Sequence, residues 1–482
     1  MNRIRPLVIA GLAVLAPGVL RGQPVSGPNI GGTDPVVRKI LGEISQERIA
    51  ATMQKLASFD TRGNFSDPDQ KDRGIGAARK WIFDEFRSYG PRLDVSLDPH
   101  KVRKQGTRIL RDVEVVNVVA VLPGTSQPDR RIIVGAHYDS LNVVRKPGAP
   151  DVTPDGGEPA VDDVIDFERS IEATAPGVTD NAAGTALIME LARVMSQYRF
   201  QKTIVFIAFA GEEIGLVGSS LYAVAQKEAN ARIEAVLNND VVGVSVAGDG
   251  HAESGLVHVF SEDPADSPSR ELARYIRETA ERYVPGFRAE PVFRQDRFAR
   301  GGDHSPFNAN GFAAVRFTSA AENLGIQHTA DDTFDKSSPA YATLVARVNG
   351  ATLASLALAP SAPETTREIL TGSAKGRKVP NIARGKSRYD AILRWKDASG
   401  ENLAGYAVVM RSSTAPFWEQ QIFVGKATEY TLPGLSIDDV VLGVKAIDTS
   451  GHESLVSPYI AAPYLLKPIE TTDHIDSGAP AK

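Results

Sequence analysis

An apolar run that ends in two adjacent glutamates constrains this chain more than any other feature. Residues 203–210 are rich in Ile, Val and Phe, which is typical of a buried strand. Gly211 ends the run, and Glu212 and Glu213 follow at once. Because buried carboxylates are costly unless a positive group compensates them, this pair indicates a bound metal ion. One carboxylate can then bind the ion while its neighbour moves protons.

Segments with the pattern of strands alternate with segments that have the period of helices between residues 35 and 360. The predicted strands include 113–122, 132–136, 203–210, 233–238, 256–261 and 313–318, and the predicted helices include 75–89, 219–227, 269–283 and 339–358. This alternation predicts an α/β domain in which helices flank a mostly parallel mixed sheet.

The pattern changes after residue 360. Residues 361–378 are rich in Pro, Thr, Ser, Gly and Lys, which indicates a linker. Residues 379–468 contain short, evenly spaced apolar or alternating segments separated by turns. They predict a small all-β sandwich. The polar residues 469–482 predict a disordered tail.

The first 22 residues are typical of an export signal. Arg3 and Arg5 precede a short apolar stretch, residues 7–20, and polar sequence follows. The stretch is too short for a comfortable membrane span, and no later run approaches the length of a membrane helix. We therefore expect an exported protein, periplasmic or secreted, that is not an integral membrane protein. The sequence leaves its oligomeric state open.

Charge and cysteine content narrow the function further. The formal net charge of −5 gives no electrostatic reason to expect nucleic acid as a partner. The chain has no cysteine, so neither disulfides nor thiolate metal sites are possible. Any transition-metal site must therefore be built from His, Asp and Glu.

Acidic residues and histidines recur just past the predicted strands. They are His137, Asp139, Asp180, Glu212, Glu213, Asp240 and His328. Because the carboxyl ends of parallel strands lie on one edge of a sheet, we expect these side chains to share one crevice. Imidazole and carboxylate ligands without sulfur suit zinc in an open catalytic site, or Mn or Co. Two His, one Glu and two Asp exceed the need of one tetrahedral ion and fit two ions bridged by a carboxylate.

Five short motifs contain these residues. They are His137-Tyr-Asp-Ser, Thr179-Asp-Asn-Ala-Ala-Gly, Gly211-Glu-Glu-x-Gly-Leu-x-Gly-Ser, Asn239-Asp240 and His328-Thr-x-Asp-Asp-Thr. Their order resembles that of the M28 zinc peptidases, which are co-catalytic aminopeptidases and their carboxypeptidase relatives. Residues 36–358 thus resemble this family. The resemblance implies two Zn²⁺ ions per chain bridged by Asp180, with four further ligands, His137, Glu213, Asp240 and His328.

The resemblance also implies roles for residues around the ligands. Glu212 matches the general base that takes a proton from the bridging water and passes it to the leaving amine. Asp139 matches the carboxylate that orients the ligand histidine. The family often has a cis peptide after the bridging Asp, which here is the bond between Asp180 and Asn181.

A further segment, Gly302-Asp-His-Ser, resembles a family segment in which Ser often precedes the Asp-His pair. Asp303 and His304 are therefore candidates for supporting residues behind the ligands. The C-terminal part looks like a fibronectin type III domain, with Trp395 and Tyr406 in positions typical of its core. Trp418 is the candidate for a surface-binding role of that domain.

The predicted function is a zinc-dependent exopeptidase that removes N-terminal residues from peptides or proteins with a free N-terminus. A glutaminyl cyclase-type acyltransferase is an alternative, since it shares this fold with a single zinc. An M28 carboxypeptidase would need a basic cluster, for which Arg294, Arg297 and Arg300 are candidates. A non-catalytic binding protein would be expected to lack Glu212 or a ligand, and none is missing. The Pro-, Gly- and acid-rich insertion 141–177 is either a solvated loop or a wall over the site.

Overall fold

An eight-stranded mixed sheet forms the frame of the larger part of the molecule. The computed structural model describes residues 31–150, 164–171, 173–261, 267–294, 300–369 and 378–460, so the predicted signal segment 1–22 and tail 469–482 lie outside the described residues. The strands are β1 Asp94–Val102, β2 Val113–Leu122, β3 Gln127–His137, β4 Lys202–Phe209, β5 Arg232–Asn239, β6 Leu256–Ser261, β7 Arg288–Phe293 and β8 Ala314–Ser319. They lie in the order β1-β2-β4-β3-β5-β8-β6-β7.

The centre of this sheet is parallel and its flanks are mixed. Strand β3 pairs in parallel with β4 and β5, and β5 pairs in parallel with β8. Strands β1 and β2 are antiparallel, as are β2 and β4 and also β6 and β8, whereas β6 and β7 are parallel. Every residue of β4 is buried, because helices cover both faces of the parallel centre. The predicted α/β class with a mostly parallel mixed sheet is confirmed.

Helices pack on both faces of the sheet. They are α1 Pro35–Gly42, α2 Gln46–Ala57, α3 Gly74–Ser88, α4 Phe167–Ser170, α5 Ala183–Met195, α6 Val217–Glu228, α7 Pro268–Tyr283, α8 His304–Ala309 and α9 Pro339–Leu358. Helix α9 is apolar on nearly all sides and is buried against α1, α2 and α5. It begins where Ser338 accepts a hydrogen bond from the backbone N–H of Tyr341. In the described part of the chain, no helix combines the length and hydropathy of a membrane span.

The elements that the sequence pattern does not predict include β1, β7 and α8. Strand β1 lies at one edge of the sheet and has no buried residue, so it lacks the apolar alternation of a core strand. Strand β7 lies at the other edge and contains Pro291, whose missing N–H is tolerated there. Helix α8 is only six residues long and begins inside the segment Gly302-Asp-His-Ser.

Two four-stranded antiparallel sheets and one two-stranded sheet form the C-terminal part. Its strands are β9 Glu364–Thr365, β10 Arg367–Ile369, β11 Lys378–Pro380, β12 Ile382–Ala383, β13 Ala391–Lys396, β14 Leu403–Ser412, β15 Gln420–Gly425, β16 Glu429–Leu432, β17 Val440–Asp448 and β18 Ser457–Pro458. The two larger sheets consist of strands β9, β12, β13 and β16 and of strands β15, β14, β17 and β18, and β10 pairs with β11. Both larger sheets contribute to one core, where the Trp395 and Tyr406 rings lie 5.6 Å apart. The likeness to fibronectin type III stays a prediction.

The segment predicted as a linker, 361–378, contains strands. Strand β9 pairs with β13, with Thr365 opposite Trp395, and β10 pairs with β11. The described part of this segment therefore belongs to the C-terminal sheets. Its Thr-, Lys- and Arg-rich composition does not distinguish an exposed edge strand from a linker.

The C-terminal part packs against α7. The indole N–H of Trp418 donates to Oε2 of Glu271 at 2.9 Å, and Nε of Arg274 donates to the backbone O of Pro416 at 2.7 Å. The guanidinium of Arg277 lies 3.7 Å from the centre of the Phe417 ring. Trp418, the candidate for a surface-binding role, is therefore engaged between the two parts of the molecule.

Candidate metal centre

The predicted ligand side chains meet at the carboxyl edge of the parallel strands. His137 is the last residue of β3, Asp240 follows β5, and Glu213 lies in the loop after β4. Asp180 lies in the irregular helical segment Val178–Ala182 just before α5, and His328 lies in the loop between β8 and α9. The fold thus brings together five side chains that are far apart in the sequence. The peptide bond between Asp180 and Asn181 is cis.

Two groups of three side chains share Asp180. In the first, Nε2 of His137 lies 3.1 Å from Oδ1 of Asp180 and 3.5 Å from Oδ1 of Asp240. In the second, Nε2 of His328 lies 3.1 Å from Oδ2 of Asp180 and 3.1 Å from Oε2 of Glu213. The candidate ligand atoms of each group lie within 4.8 Å of one another. Since the two oxygens of Asp180 face different histidines, this carboxylate has the orientation that a bridge between two ions needs.

The chemistry of this donor set fits zinc. It offers only imidazole nitrogens and carboxylate oxygens, which are the ligands of catalytic zinc sites when cysteine is absent. The carboxylates are buried, and Oε1 of Glu213 has no hydrogen-bond partner among the described residues. Carboxylates outnumber imidazoles in this space, and burial of that excess negative charge is costly without a cation.

The pKa values show how strongly these groups interact without metal. The negative charge of Glu213 raises the pKa of His328 well above its ordinary value, and Asp180 adds to the effect. Burial alone would lower the pKa of His137, but hydrogen bonds to Asp139, Asp180 and Asp240 raise it well above its ordinary value. Burial opposes ionisation of Asp180, yet the two histidines hold its pKa well below the usual range. Protons on the two rings therefore compete with metal for these carboxylates.

Glu212 faces the same space but belongs to neither group that contains Asp180. One of its carboxylate oxygens lies within 4.8 Å of ligand atoms of His137 and Glu213. Burial raises the pKa of Glu212 well above its ordinary value, and the negative charges of Asp240 and Glu213 add to the rise. A carboxylate with a raised pKa, next to candidate metal ligands, is suited to accept and return a proton.

Asp139 joins the loops that carry His137 and the two glutamates. Its backbone O lies 3.1 Å from Nδ1 of His137, and its Oδ1 lies 3.5 Å from the same atom. Its carboxylate accepts hydrogen bonds from the backbone N–H of Glu213 at 3.1 Å and of Glu212 at 3.4 Å. Asn64 donates to Oδ2 of Asp139 at 2.6 Å. These contacts support the predicted orienting role of Asp139.

Asp303 and His304 are buried, and the charge of Asp240 acts on Asp303. A Cβ added at Gly302 would lie 3.1 Å from Oδ2 of Asp240, so the glycine leaves this space to the carboxylate. Burial raises the pKa of Asp303 to about 7, and the negative charges of Asp139 and Asp240 contribute. The two residues therefore lie behind a candidate ligand, in the region where the sequence predicts supporting residues.

Arg62 supports the site although no sequence pattern singles it out. Its buried guanidinium donates to four backbone oxygens, those of Leu56, Tyr138, Pro176 and Gly177. Burial lowers the pKa of Arg62 to about 10, so it stays charged at neutral pH. It thereby ties α2 to the segments that carry His137 and Asp180. A lone Arg in a polar turn gives no signal of such a role.

Two further charged residues fix the positions of ligand carboxylates. Asp332 accepts hydrogen bonds from the backbone N–H of Thr179 at 2.9 Å and of Asp180 at 3.0 Å. A guanidinium nitrogen of Arg316 lies 3.2 Å from Oδ2 of Asp240. Burial raises the pKa of Asp332 to about 6. Asp332 lies in the motif that begins at His328, so the sequence contains a signal from which its role could have been predicted.

Asn117 closes the loop that carries the two glutamates. Its side-chain oxygen accepts a hydrogen bond from the backbone N–H of Ala210 at 3.1 Å, and its amide donates to the backbone O of Gly218 at 3.1 Å. The same amide donates to Asp98 at 2.9 Å. A Cβ added at Gly218 would lie 2.2 Å from the Asn117 oxygen, so only glycine allows this approach. The loop that contains Glu212 is thus held at both ends by one buried side chain.

A cavity of about 100 Å³ opens beside Glu213 and His328. Most of its lining is apolar and comes from Phe65, Leu110, Leu141, Val143, Ile165, Phe167, Ile171 and Ile214. Much of this set belongs to the insertion 141–177, whose Val143 N–H also donates to the backbone O of His328 at 2.7 Å. The described part of the insertion therefore forms a wall of the site, as the second of the two interpretations predicts.

Imidazole and carboxylate ligands around a shared aspartate, at the carboxyl edge of an α/β sheet, define a metal-dependent hydrolase. The model of Peptidase family M28 matches residues 117–353. A probable zinc metalloprotease of Pyricularia oryzae is 35% identical over 458 residues, which cover 87% of this chain and 84% of that protein. A second, of Leptosphaeria maculans, is 34% identical over 449 residues, which cover 87% of this chain and 95% of that protein. The chain belongs to peptidase family M28 and is a zinc metallopeptidase.

Solved structures show the same fold. The crystal structure of LapB from Legionella pneumophila matches with a TM-score of 0.50 and 22% identity, over 67% of this chain and 75% of that chain. At this identity the likeness concerns the fold, and the chemistry of this chain is argued from its own residues.

Proposed function

We propose that this metallopeptidase is an aminopeptidase that uses two zinc ions and Glu212 to hydrolyse the first peptide bond of its substrates. The observation that carries the proposal is the sharing of Asp180 by two complete ligand groups. A single-ion enzyme needs only one of them. The second group lies beside the cavity, because Glu213 and His328 are part of the cavity lining.

Each residue of the centre has a distinct part. His137, Asp180 and Asp240 would hold one ion, and Asp180, Glu213 and His328 would hold the other. When bound, the ions supply a water of lowered pKa and polarise the carbonyl of the scissile bond. Glu212 accepts the proton of that water and donates it to the leaving amine.

The cavity supports removal of one residue at a time and a preference for apolar N-termini. At about 100 Å³ it suits one side chain rather than a stretch of peptide. Phe65, Phe167 and Ile214 give it an apolar surface, so burial of a Leu, Ile or Phe side chain there is favourable.

The alternatives find less support. Of the arginines that the sequence offers for a carboxypeptidase, Arg300 is bound to Glu322 through two hydrogen bonds. Arg297, a second candidate, lies outside the described residues. A glutaminyl cyclase with one zinc would leave the second ligand group without a role.

We also propose that the protein is exported. The basic start and short apolar stretch within residues 1–22 support this proposal. Fractionation of the producing cells, with the mass of the mature N-terminus, tests it. Full-length protein retained in the cytoplasm would contradict it.

The test of the activity uses purified protein with added zinc and peptides that start with free, N-acetylated or Gln residues. Masses are followed over time, and chelator-treated protein is the control. We expect stepwise loss of residues from free N-termini only, fastest for Leu and Phe. Loss of C-terminal residues would establish a carboxypeptidase. Release of ammonia alone from Gln-starting peptides would establish a cyclase.

A further inference from the structure

The loop between β1 and β2, residues 103–112, lies at the same edge of the sheet as the metal ligands. Strand β2 is antiparallel to β4, with Val118 opposite Ala208, so the start of β2 lies beside the end of β4. Strand β1 ends opposite that start, with Val102 paired to Val113. The loop therefore rises next to the segment that carries Glu212.

Packing and hydrogen bonds hold this loop in place. Ile109 is buried in the main core, and its backbone O accepts a hydrogen bond from the N–H of Gln105 at 3.1 Å. The backbone N–H of Lys104 donates to Asp112 at 2.9 Å. The guanidinium of Arg111 lies 5.7 Å from the centre of the Phe65 ring, next to the cavity. The side chains of the loop are thus presented from an ordered support.

The loop carries an uncompensated positive charge. Residues 101–108 contain four Lys and Arg residues and no acidic residue, and the rest of the loop adds one of each charge, Arg111 and Asp112, in a chain with a net charge of −5. Lys101 lies opposite Glu114 across the strand pair. The other three cations, Arg103, Lys104 and Arg108, are exposed and form no ion pair with any residue that the structure describes. Such a group of cations attracts anions to its surface.

One of these cations reaches the site itself. Arg108 lines the cavity that also contacts Glu213 and His328. We propose that Arg103, Lys104 and Arg108 form a docking surface for acidic side chains that follow the scissile bond of a peptide substrate. This inference rests on the proposed aminopeptidase function. With the first side chain in the cavity, an extended substrate advances about 3.3–3.6 Å per residue, so positions two to four lie within reach of the loop.

The test compares two peptides that start with Leu and differ only at positions three and four, which are Glu-Glu or Gln-Gln. A variant of the loop between β1 and β2, called the hairpin variant, carries Arg103→Gln, Lys104→Gln and Arg108→Gln. A control variant with the same change in net charge carries Lys386→Gln, Arg388→Gln and Lys426→Gln, all exposed in the C-terminal part. For the wild type we expect a kcat/KM about three- to tenfold higher for the acidic peptide at low salt, and a smaller ratio at high salt. The control should keep this ratio, and in the hairpin variant the ratio of the two kcat/KM values should fall to about one.

The outcomes separate this inference from the proposed function. Equal cleavage of both peptides by the wild type, or an unchanged ratio in the hairpin variant, overturns the docking surface but leaves the aminopeptidase intact. If neither peptide loses its N-terminal residue, the proposed function is wrong. Fluorescence anisotropy with labelled copies of both peptides and zinc-loaded protein then decides the inference. The inference is supported if the wild type binds the acidic peptide more tightly than the neutral one and the hairpin variant does not. It is overturned if the wild type binds the two peptides equally.

Discussion

At the residue scale, Glu212 differs from its neighbours because it faces both ligand groups without completing either. For Glu212→Gln we expect kcat to fall by about 10²–10⁴-fold, because the amide keeps the shape of the side chain but cannot accept a proton. Zinc content, measured by elemental mass spectrometry, should stay at the wild-type level. Glu228→Gln, an exposed change on α6, is the control and should leave kcat unchanged. Loss of zinc together with activity would remove Glu212 from the role of general base.

Asp180 is the residue whose replacement should affect both ions. Its two oxygens face His137 and His328 separately, so Asp180→Asn removes an anionic ligand from each group. We expect zinc affinity to fall at both positions, and zinc titration should show two weakened binding events. Asp240→Asn is the matched comparison, because Asp240 belongs to one group only and should weaken one event. A single weakened event in Asp180→Asn would contradict the bridge.

The histidines make zinc binding depend on pH with a defined sign. Both rings have pKa values raised well above the ordinary value, so near neutral pH each carries a proton that zinc must displace. Zinc affinity should therefore rise as pH rises through this range and fall on acidification. In metal-free protein the same protonated rings stabilise the fold at low pH, and this contribution is lost as pH rises through the raised pKa values. Calorimetry at pH 7 in buffers of different ionisation enthalpy should show proton release on zinc binding, and none would contradict this account.

The sequence predicts the candidate ligands but not the residues that hold them. Three of the ligands, His137, Glu213 and Asp240, lie at or just after the ends of buried strands. A parallel sheet places residues in such positions on one edge, independently of the contacts made elsewhere in the fold. Arg62 and Arg316 have no comparable signal, because their roles depend on contacts across the fold with backbone oxygens and with one carboxylate. Such contacts exist only once distant segments have packed.

At the scale of elements, the loop between β4 and α6 depends on a residue of β2. Asn117→Ala removes the hydrogen bonds to Ala210 and Gly218 at the two ends of this loop. We expect the free energy of unfolding to fall by about 1–3 kcal/mol and kcat to fall more than KM changes, because Glu212 loses its fixed position. Ser269→Ala is the control, since it removes a buried hydrogen bond to Ala314 far from the loop. Equal loss of kcat in both variants would mean that Asn117 acts through stability alone.

Prediction of whole elements succeeds for buried strands and fails at the sheet edges. Strand β4 is buried throughout, so its apolar run is unambiguous. Strands β1 and β7 lie at the edges, where one side of the strand has no partner and polar residues or Pro291 are tolerated. Neither edge strand carries a candidate ligand, so missing them does not alter the predicted ligand set.

At the scale of the whole molecule, the C-terminal part contacts the peptidase domain away from the metal centre. Gln127 is the first residue of β3, whereas His137 is its last, so the two lie at opposite edges of the sheet. Ser399 donates to the side chain of Gln127 at 3.2 Å, and the backbone N–H of Glu401 donates to that of Gln201 at 3.1 Å. These contacts stabilise the far edge and contribute no group to the chemistry.

The contacts with α7 should make the two parts unfold together. Glu271 is only 2% exposed, and the indole N–H of Trp418 donates to its carboxylate. Trp418→Ala removes this hydrogen bond and leaves a cavity, so we expect a loss of about 2–4 kcal/mol and a melting temperature lower by several degrees. The kcat of zinc-loaded protein should not change, because Trp418 lies far from the ligands. Tyr389→Ala is the control, since this aromatic ring is 73% exposed and should leave both values unchanged. Differential scanning calorimetry should show one shared transition that Trp418→Ala shifts as a whole. Two transitions, of which the substitution moves only one, would mean that the parts are thermodynamically independent.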